Sequence, residues 1–212
     1  ADSRMAFAQT VEPVSRHCFV PLAVGGWIAE AGYARELLSR GADKLVLNTA
    51  FADDPGLVQT LSRRFGRQCI VASIDVKRDD SGATRVAVDR ASRLLDENPV
   101  SWAQRAQELG AGEIFFNSVD HDGARKGYDL ETIRSITTAV DVPLIAFGGV
   151  FTWSHLLAGI EAGADAVAAA NIFHYTEQAT RKAKTFLANA GVPVRSEGHS
   201  MALAASLSAK AA

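Results

Sequence analysis

Asp75 ends the run Ile70-Val-Ala-Ser-Ile, and Lys77 and Arg78 follow almost at once. A carboxyl group carried to the end of a buried strand is partly desolvated, which raises its pKa toward the range where it can take up or give a proton. The same acid could instead be neutralised locally by Lys77 or Arg78. A second acidic group, Asp120 and Asp122 in Asn117-Ser-Val-Asp-His-Asp-Gly123, follows another apolar run. Its Asp-Gly pair is also a turn signal, so the choice between substrate contact and turn formation stays open. Two glycine pairs, Gly25-Gly26 and Gly148-Gly149, follow the matching runs Val20-Pro-Leu-Ala-Val and Val142-Pro-Leu-Ile-Ala-Phe. Such pairs let the backbone approach an anion closely, and a helix starting just beyond adds unpaired N–H donors. Each unit then runs on to a second polar strand end. Asn48-Thr49 follows Gly41-Ala-Asp-Lys44, and Ala170-Asn171 follows Gly163-Ala-Asp-Ala166, each placed to close an anion site from the side. One pattern used twice, 122 residues apart, predicts two phosphate sites facing each other across one mouth. A ligand phosphorylated at both ends would fit them.

Six apolar runs bounded by turn residues could position these groups as strands: Val20 to Gly26, Lys44 to Thr49, Cys69 to Asp75, Glu113 to Val119, Val142 to Gly149 and Ala166 to Ile172. All are short and nearly continuously apolar, as strands buried on both faces of a parallel sheet should be. Asp54-Pro55 and Asn98-Pro99 read as helix N-caps with proline at the first helical position. Gly41, Gly110 and Gly163 fall where helices end before a strand. Asp2 to His17 reads as one helix ahead of the first strand. The stretch from Arg78 to Glu97, with alternation over Thr84 to Val88, predicts a small hairpin over the mouth. Strict βα alternation without G-x-G-x-x-G predicts an α/β fold of the (β/α)8 TIM-barrel type. Such a barrel has eight strands, so the first two are expected to be missing and six βα units present. Residues 1–197 are expected to form the barrel domain, and 198–212 a disordered or weakly helical tail. Lys44 and Glu113 open strands at the opposite face, as ordinary exposed charges or as a pair across the barrel floor.

The composition excludes several classes. With 22 basic against 24 acidic residues, the chain has no electrostatic footprint for nucleic acid or an anionic membrane. No apolar run approaches the roughly 18 residues of a membrane span, and no signal-peptide pattern opens the chain. Two cysteines without motif spacing, Cys18 and Cys69, predict reduced, buried thiols and a cytoplasmic location. The five histidines have no metal-ligand spacing; neither a metal nor a cofactor is expected.

Several motifs in order over about Phe19 to Arg195 are more specific: Gly41-Ala-Asp-Lys, Leu47-Asn-Thr-Ala50, Ser73-Ile-Asp-Val-Lys-Arg78, Gly110-Ala-Gly-Glu113, Asp120-His-Asp-Gly123 with Gly127-Tyr-Asp129, and Gly163-Ala-Asp165 with Ile172-Phe-His174. In these the chain resembles the cyclase subunit of imidazole glycerol phosphate synthase. The resemblance implies a lyase of histidine biosynthesis that takes ammonia from a glutaminase partner. It converts a phosphoribulosyl-formimino carboxamide ribonucleotide to imidazole glycerol phosphate and aminoimidazole carboxamide ribonucleotide. The resemblance also implies that Asp75 is one of two catalytic aspartates, the other belonging on a first strand outside this sequence. Lys44 and Glu113 become an ammonia gate, and Asp43 part of the face that docks the glutaminase. Gly25, Gly26, Asn48, Thr49, Asn117, Asp122, Gly148, Gly149, Ala170 and Asn171 are expected at phosphate and substrate.

The chain departs from that pattern at the mouth. Trp27 stands where the family has a third glycine, and its bulk is expected to crowd the first phosphate cradle. Phe147 and Asn171 replace expected serines, Asn117 an expected threonine, and Trp153 follows the second glycine pair. Cys18-Phe-Val-Pro21, Gln68-Cys-Ile-Val71 and Asn117-Ser118 are similar to paralogues that conduct ammonia for amidation of a surface-polysaccharide sugar. A non-catalytic scaffold that only docks a glutaminase is the third reading.

Overall fold

The computed structural model describes residues 3–175 and 177–195. In chain order the elements are α1 (Ser3–Ser15), β1 (Ala23–Gly25), α2 (Ala31–Ser39), β2 (Lys44–Leu47), α3 (Thr49–Asp53), α4 (Pro55–Phe65), β3 (Ile70–Arg78), β4 (Thr84–Val88) and β5 (Arg93–Leu94). They continue with α5 (Pro99–Glu108), β6 (Glu113–Ser118), α6 (Leu130–Thr137), β7 (Leu144–Phe147), α7 (Trp153–Glu161), β8 (Ala166–Val167), α8 (Asn171–Tyr175) and α9 (Ala179–Asn189). The tail expected over 198–212 lies outside the described residues.

Six strands pair in parallel in the order β1-β2-β3-β6-β7-β8, each joined to the next through helix. This is the α/β, TIM-barrel-type architecture, with six βα units in succession. The antiparallel pair β4-β5 is attached to the far end of β3. It is the hairpin expected between Arg78 and Glu97.

Local signals explain the helix ends. The Asp54 side chain accepts from the Leu57 N–H at 2.9 Å ahead of Pro55, and Asn98 accepts from Val100 and Ser101 ahead of Pro99. Gly41, Gly110 and Gly163 each follow a helix's C-cap residue with φ near +105°, a conformation that costs glycine nothing.

Strand ends are where the structure departs from the pattern. β1 starts at Ala23 rather than Val20. β3 runs on through Asp75 to Arg78 because β4 supplies its Val76, Lys77 and Arg78 with antiparallel partners. β2 stops at Leu47, and Thr49 already begins α3. β8 stops at Val167, so Ala170 and Asn171 do not end a strand; Asn171 is the first residue of α8. Polar Asn and Thr favour such helix starts over a sheet interior.

Within the sheet, side chains alternate between two environments. Leu45, Leu47, Ile70, Ala72, Ile74, Ile114, Phe116, Leu144 and Ala146 are buried toward the helices. Lys44, Val46, Ser73, Asp75, Glu113, Phe115, Asn117, Ile145 and Phe147 are only partly buried and alternate with them on the opposite face.

The internal repeat is visible in bonding. Asp43 Oδ2 accepts from the Leu22 N–H at 2.7 Å, and Asp165 Oδ2 accepts from the Leu144 N–H at 2.9 Å. In both copies the aspartate's own N–H returns to the same leucine's carbonyl, at 2.9 and 3.0 Å. Each carboxylate pins the start of the preceding strand to the start of the next. Asp165→Ala removes the acceptor of a part-buried N–H and is expected to cost about 1–2 kcal/mol. Urea unfolding, compared with Asp43→Ala at the more exposed copy, checks this.

Candidate functional site

Asp75 is half-buried near the end of the partly buried sheet face. Its neighbours are not the nearby cations: Asn117 Nδ2 donates to Asp75 Oδ1 at 3.2 Å, and Ser73 Oγ donates to the same oxygen at 3.3 Å. Arg78 instead reaches the Gly82 carbonyl, and its N–H donates to Asp120. Desolvation by burial holds the Asp75 pKa above its ordinary value, against the opposing pull of those two hydrogen bonds. Asn117 Oδ1 is buried and accepts no hydrogen bond from the described residues. Ser73 was missed as a contributor from sequence, although its place two residues before Asp75 on a strand puts it on the same face.

At the other end of that face Lys44 Nζ and Glu113 Oε2 form an ion pair of 2.6 Å. Lys44 opens β2 and Glu113 opens β6, so the pair spans the intervening β3. The parallel register sets Val71 beside Glu113, Ser73 beside Phe115 and Asp75 beside Asn117. Four residues of strand, about 13 Å, separate the ion pair from Asp75 and Asn117. Asp43, next to Lys44, is exposed and caps the start of β1.

The second glycine pair is an assembled cradle. Asp122, Gly123, Phe147, Gly148, Gly149, Val150, Ala170 and Asn171 line one small pocket, which brings together the residues expected there from sequence. Gly148 and Gly149 have φ of +100° and +92°. A Cβ on Gly149 would lie 2.3 Å from the Gly127 carbonyl, so no side chain fits. Phe147, which also borders this pocket, packs its ring against Phe115 with centroids 5.2 Å apart. Trp153 sits outside the glycine turn, in a neighbouring cavity of about 460 Å³ that also holds Arg125, Phe151 and Tyr175.

The first glycine turn is built differently. The positive φ values fall on Gly26 (+118°) and Trp27 (+55°), so the conformational equivalents of Gly148-Gly149 are Gly26-Trp27, one position on from the glycine pair. Gly25 serves another need: a Cβ there would lie 2.9 Å from both Val46 Cβ and the Val46 carbonyl oxygen. The Trp27 ring, expected to crowd the cradle, makes a T-shaped contact with Phe7 of α1, centroids 6.0 Å apart, and stays 58% exposed. Asn48 and Thr49 are engaged by the hairpin. Asn48 Nδ2 donates to the Ser73 and Ala87 carbonyls, while Thr49 Oγ1 exchanges hydrogen bonds with Asp89.

The family profile described as histidine biosynthesis protein matches residues 1–179. Over 185 residues, 87% of this chain and 74% of the relative, the sequence is 43% identical to the imidazole glycerol phosphate synthase subunit HisF of Streptomyces coelicolor. The chain belongs to the histidine biosynthesis protein family. Membership agrees with the resemblance carried by the motifs from Gly41-Ala-Asp-Lys to Ile172-Phe-His174.

Other features of this family member complete the site. Cys18 and Cys69 are free and only partly buried, rather than fully buried. His121 Nδ1 lies 2.8 Å from the Gly127 carbonyl and steadies the loop beside Gly149. Among the described residues no helix is long and apolar enough to cross a membrane.

The raised Asp75 pKa has a stability consequence. Between the ordinary carboxylate value and the raised one, the folded chain binds the proton more tightly than the unfolded chain. Stability from this group is therefore full at low pH and falls as pH climbs through that window. Asp75→Asn is expected to raise stability at pH 8 by about 1 kcal/mol, or about 2–4 °C in Tm. The gain should vanish below the ordinary carboxylate pKa; thermal melts at several pH values check both parts.

Proposed function

We propose that the chain is the cyclase subunit of an imidazole glycerol phosphate synthase, drawing ammonia from a glutaminase subunit docked beneath the sheet. The observation that carries this reading is the shared sheet face: the Lys44–Glu113 pair stands at its start, and Asp75 with Asn117 near its end. Ammonia entering past the ion pair meets the substrate beside Asp75. The 43% identity with HisF supports the histidine-pathway reaction in particular.

In that reaction ammonia attacks the phosphoribulosyl-formimino carboxamide ribonucleotide, the imidazole ring closes with loss of one water, and aminoimidazole carboxamide ribonucleotide leaves. Nitrogen arrives as a neutral nucleophile and sheds protons as it forms bonds, so a group that exchanges a proton near neutrality is needed. Asp75 has that character because burial favours its neutral form, while Ser73 and Asn117 hold the carboxyl in one orientation. Asn117 Oδ1 remains as a fixed acceptor for a substrate N–H or O–H. The cradle at Gly148-Gly149, with Asp122, Ala170 and Asn171, takes one terminal phosphate. The turn at Gly25-Gly26 takes the other, with Asn48 and Thr49 bracing the hairpin beside it. The free thiols of Cys18 and Cys69 accord with work in the cytoplasm.

The docking face is read from the same end as the gate. Phe19 is 90% exposed and Val20 is 56% exposed, and they lead into the Leu22–Asp43 clasp beside Lys44. An aromatic side chain this exposed beside charged groups has the character of an interface anchor. Phe19→Ala is expected to weaken glutaminase binding about tenfold in calorimetry while leaving the melting temperature unchanged.

The activity test supplies the ribonucleotide with either ammonium salt or glutamine plus the glutaminase, and separates the two products by chromatography. Asp75→Asn is expected to lose about 100-fold or more of turnover with both nitrogen sources, since it can no longer exchange the proton. Glu113→Gln is expected to depress the glutamine-driven rate more than the ammonium-driven one. Full turnover in Asp75→Asn would overturn its role. Tight glutaminase binding without any turnover would favour the ammonia-conducting or scaffold readings.

A further inference from the structure

Trp27 occupies a backbone conformation that suits glycine, and its counterpart in the other half of the repeat is Gly149. At Gly149 no side chain is possible, because the Gly127 carbonyl fills the space a Cβ would need. At Trp27 the largest side chain is accommodated, and the reason lies in α1. The first two turns of that helix are laced to the loop after β1 and to the start of α2 at three points. Arg4 pairs with Glu30 at 3.5 Å, the Tyr33 hydroxyl donates to the Arg4 carbonyl at 3.1 Å, and the Phe7 ring receives the Trp27 ring edge-on at 70°. Arg4 and Phe7 lie one turn apart on the helix, on the side that also buries Ala8 and Val11. The helix is thereby fixed against the loop independently of the indole. Trp27 is nonetheless 58% exposed, so the Phe7 contact is a principal restraint on where its ring lies.

We propose that Phe7 is a positioning residue for the first anion cradle: by holding the Trp27 indole on α1, it keeps the mouth side of the Gly25–Trp27 turn open to phosphate. Trp27 then replaces glycine in backbone conformation while its bulk is parked outside the site. Without Phe7 the ring is free to swing over the turn it belongs to. The proposal rests on the reading of Gly25-Gly26 as a phosphate site, and it makes the affinity of that site depend on a residue that touches no ligand.

The test uses inorganic phosphate and backbone amide shifts of the ¹⁵N-labelled chain, with Gly148 and Gly149 as an internal reference in the same sample. In the parent chain, amides of Gly26 and Trp27 are expected to titrate with phosphate. In Phe7→Ala, phosphate is expected to bind at least fivefold more weakly at Gly26 and Trp27, unchanged at Gly148 and Gly149. Adding Trp27→Gly to Phe7→Ala is expected to restore the first site, a rescue that general loosening of α1 would not give. Phe7→Tyr keeps the ring and should behave as the parent. Should Phe7→Ala fail to fold, Phe7→Leu retains the apolar contact with the core and loses only the ring, and the same weakening and rescue are expected. An unchanged affinity in the folded Phe7 variant, or a weakening that Trp27→Gly does not reverse, overturns the proposal. If Gly26 and Trp27 do not respond to phosphate in the parent while Gly148 and Gly149 do, the first cradle itself is wrong, and the proposal goes with it.

Discussion

The site depends on the register of β3 against β6. Six consecutive residue pairs, from Val71–Glu113 to Val76–Ser118, lock these strands together and make theirs the longest parallel pairing in the sheet. Side chains on a strand alternate with a period of two, so a slip of one residue would turn Asp75 into the helix layer and Ile74 toward the mouth. The register also decides what Asp75 meets. It places Asn117 beside the carboxyl, Ser73 one repeat below, and Glu113 at the foot of the same column. That foot is completed by Lys44 from β2, so one ion pair ties together strands on either side of β3. Half-buried charges of this kind are costly if separated, which makes the pair a check on correct strand order.

Much of this could be read from residue types. Proline after aspartate or asparagine marked two helix starts, glycine marked three ends, and runs of apolar residues marked six strands, because each of these follows from local backbone chemistry. Asp75 stood out because an acid at the end of an apolar run has few structural excuses. What could not be read were features decided at a distance. The capture of Asn48 and Thr49 by Ala87 and Asp89 needs the hairpin folded back across β2. The placement of Asn171 in a helix depends on how soon β8 gives out. The conformation of Trp27 is unusual for its residue type, and its ring's partner lies on a helix twenty residues earlier.

Asp75 and Asn117 illustrate how the fold tolerates local expense at the candidate site. A carboxyl held in a partly desolvated place and a buried amide oxygen without a protein donor both weaken the folded state relative to an apolar filling of the same space. The surrounding layer of Ile70, Ala72, Ile74, Ile114 and Phe116, all buried toward the helices, offsets that expense. The division of labour follows strand alternation: one face of β3 and β6 secures the fold, and the other carries the candidate site residues.

The twin clasps, Leu22 with Asp43 and Leu144 with Asp165, agree to within 0.2 Å in the side-chain bond, 2.7 against 2.9 Å. The turns above them share two successive positive-φ residues but differ in side chain: one ends in Gly26 and a tryptophan, the other in two glycines. The two halves therefore behave as copies of a single module whose lower storey has been held fixed while its upper storey has drifted. Folding instructions and binding instructions occupy separate levels of the same unit. A barrel organised in this way can change what it grips in one half without disturbing the scaffold of either.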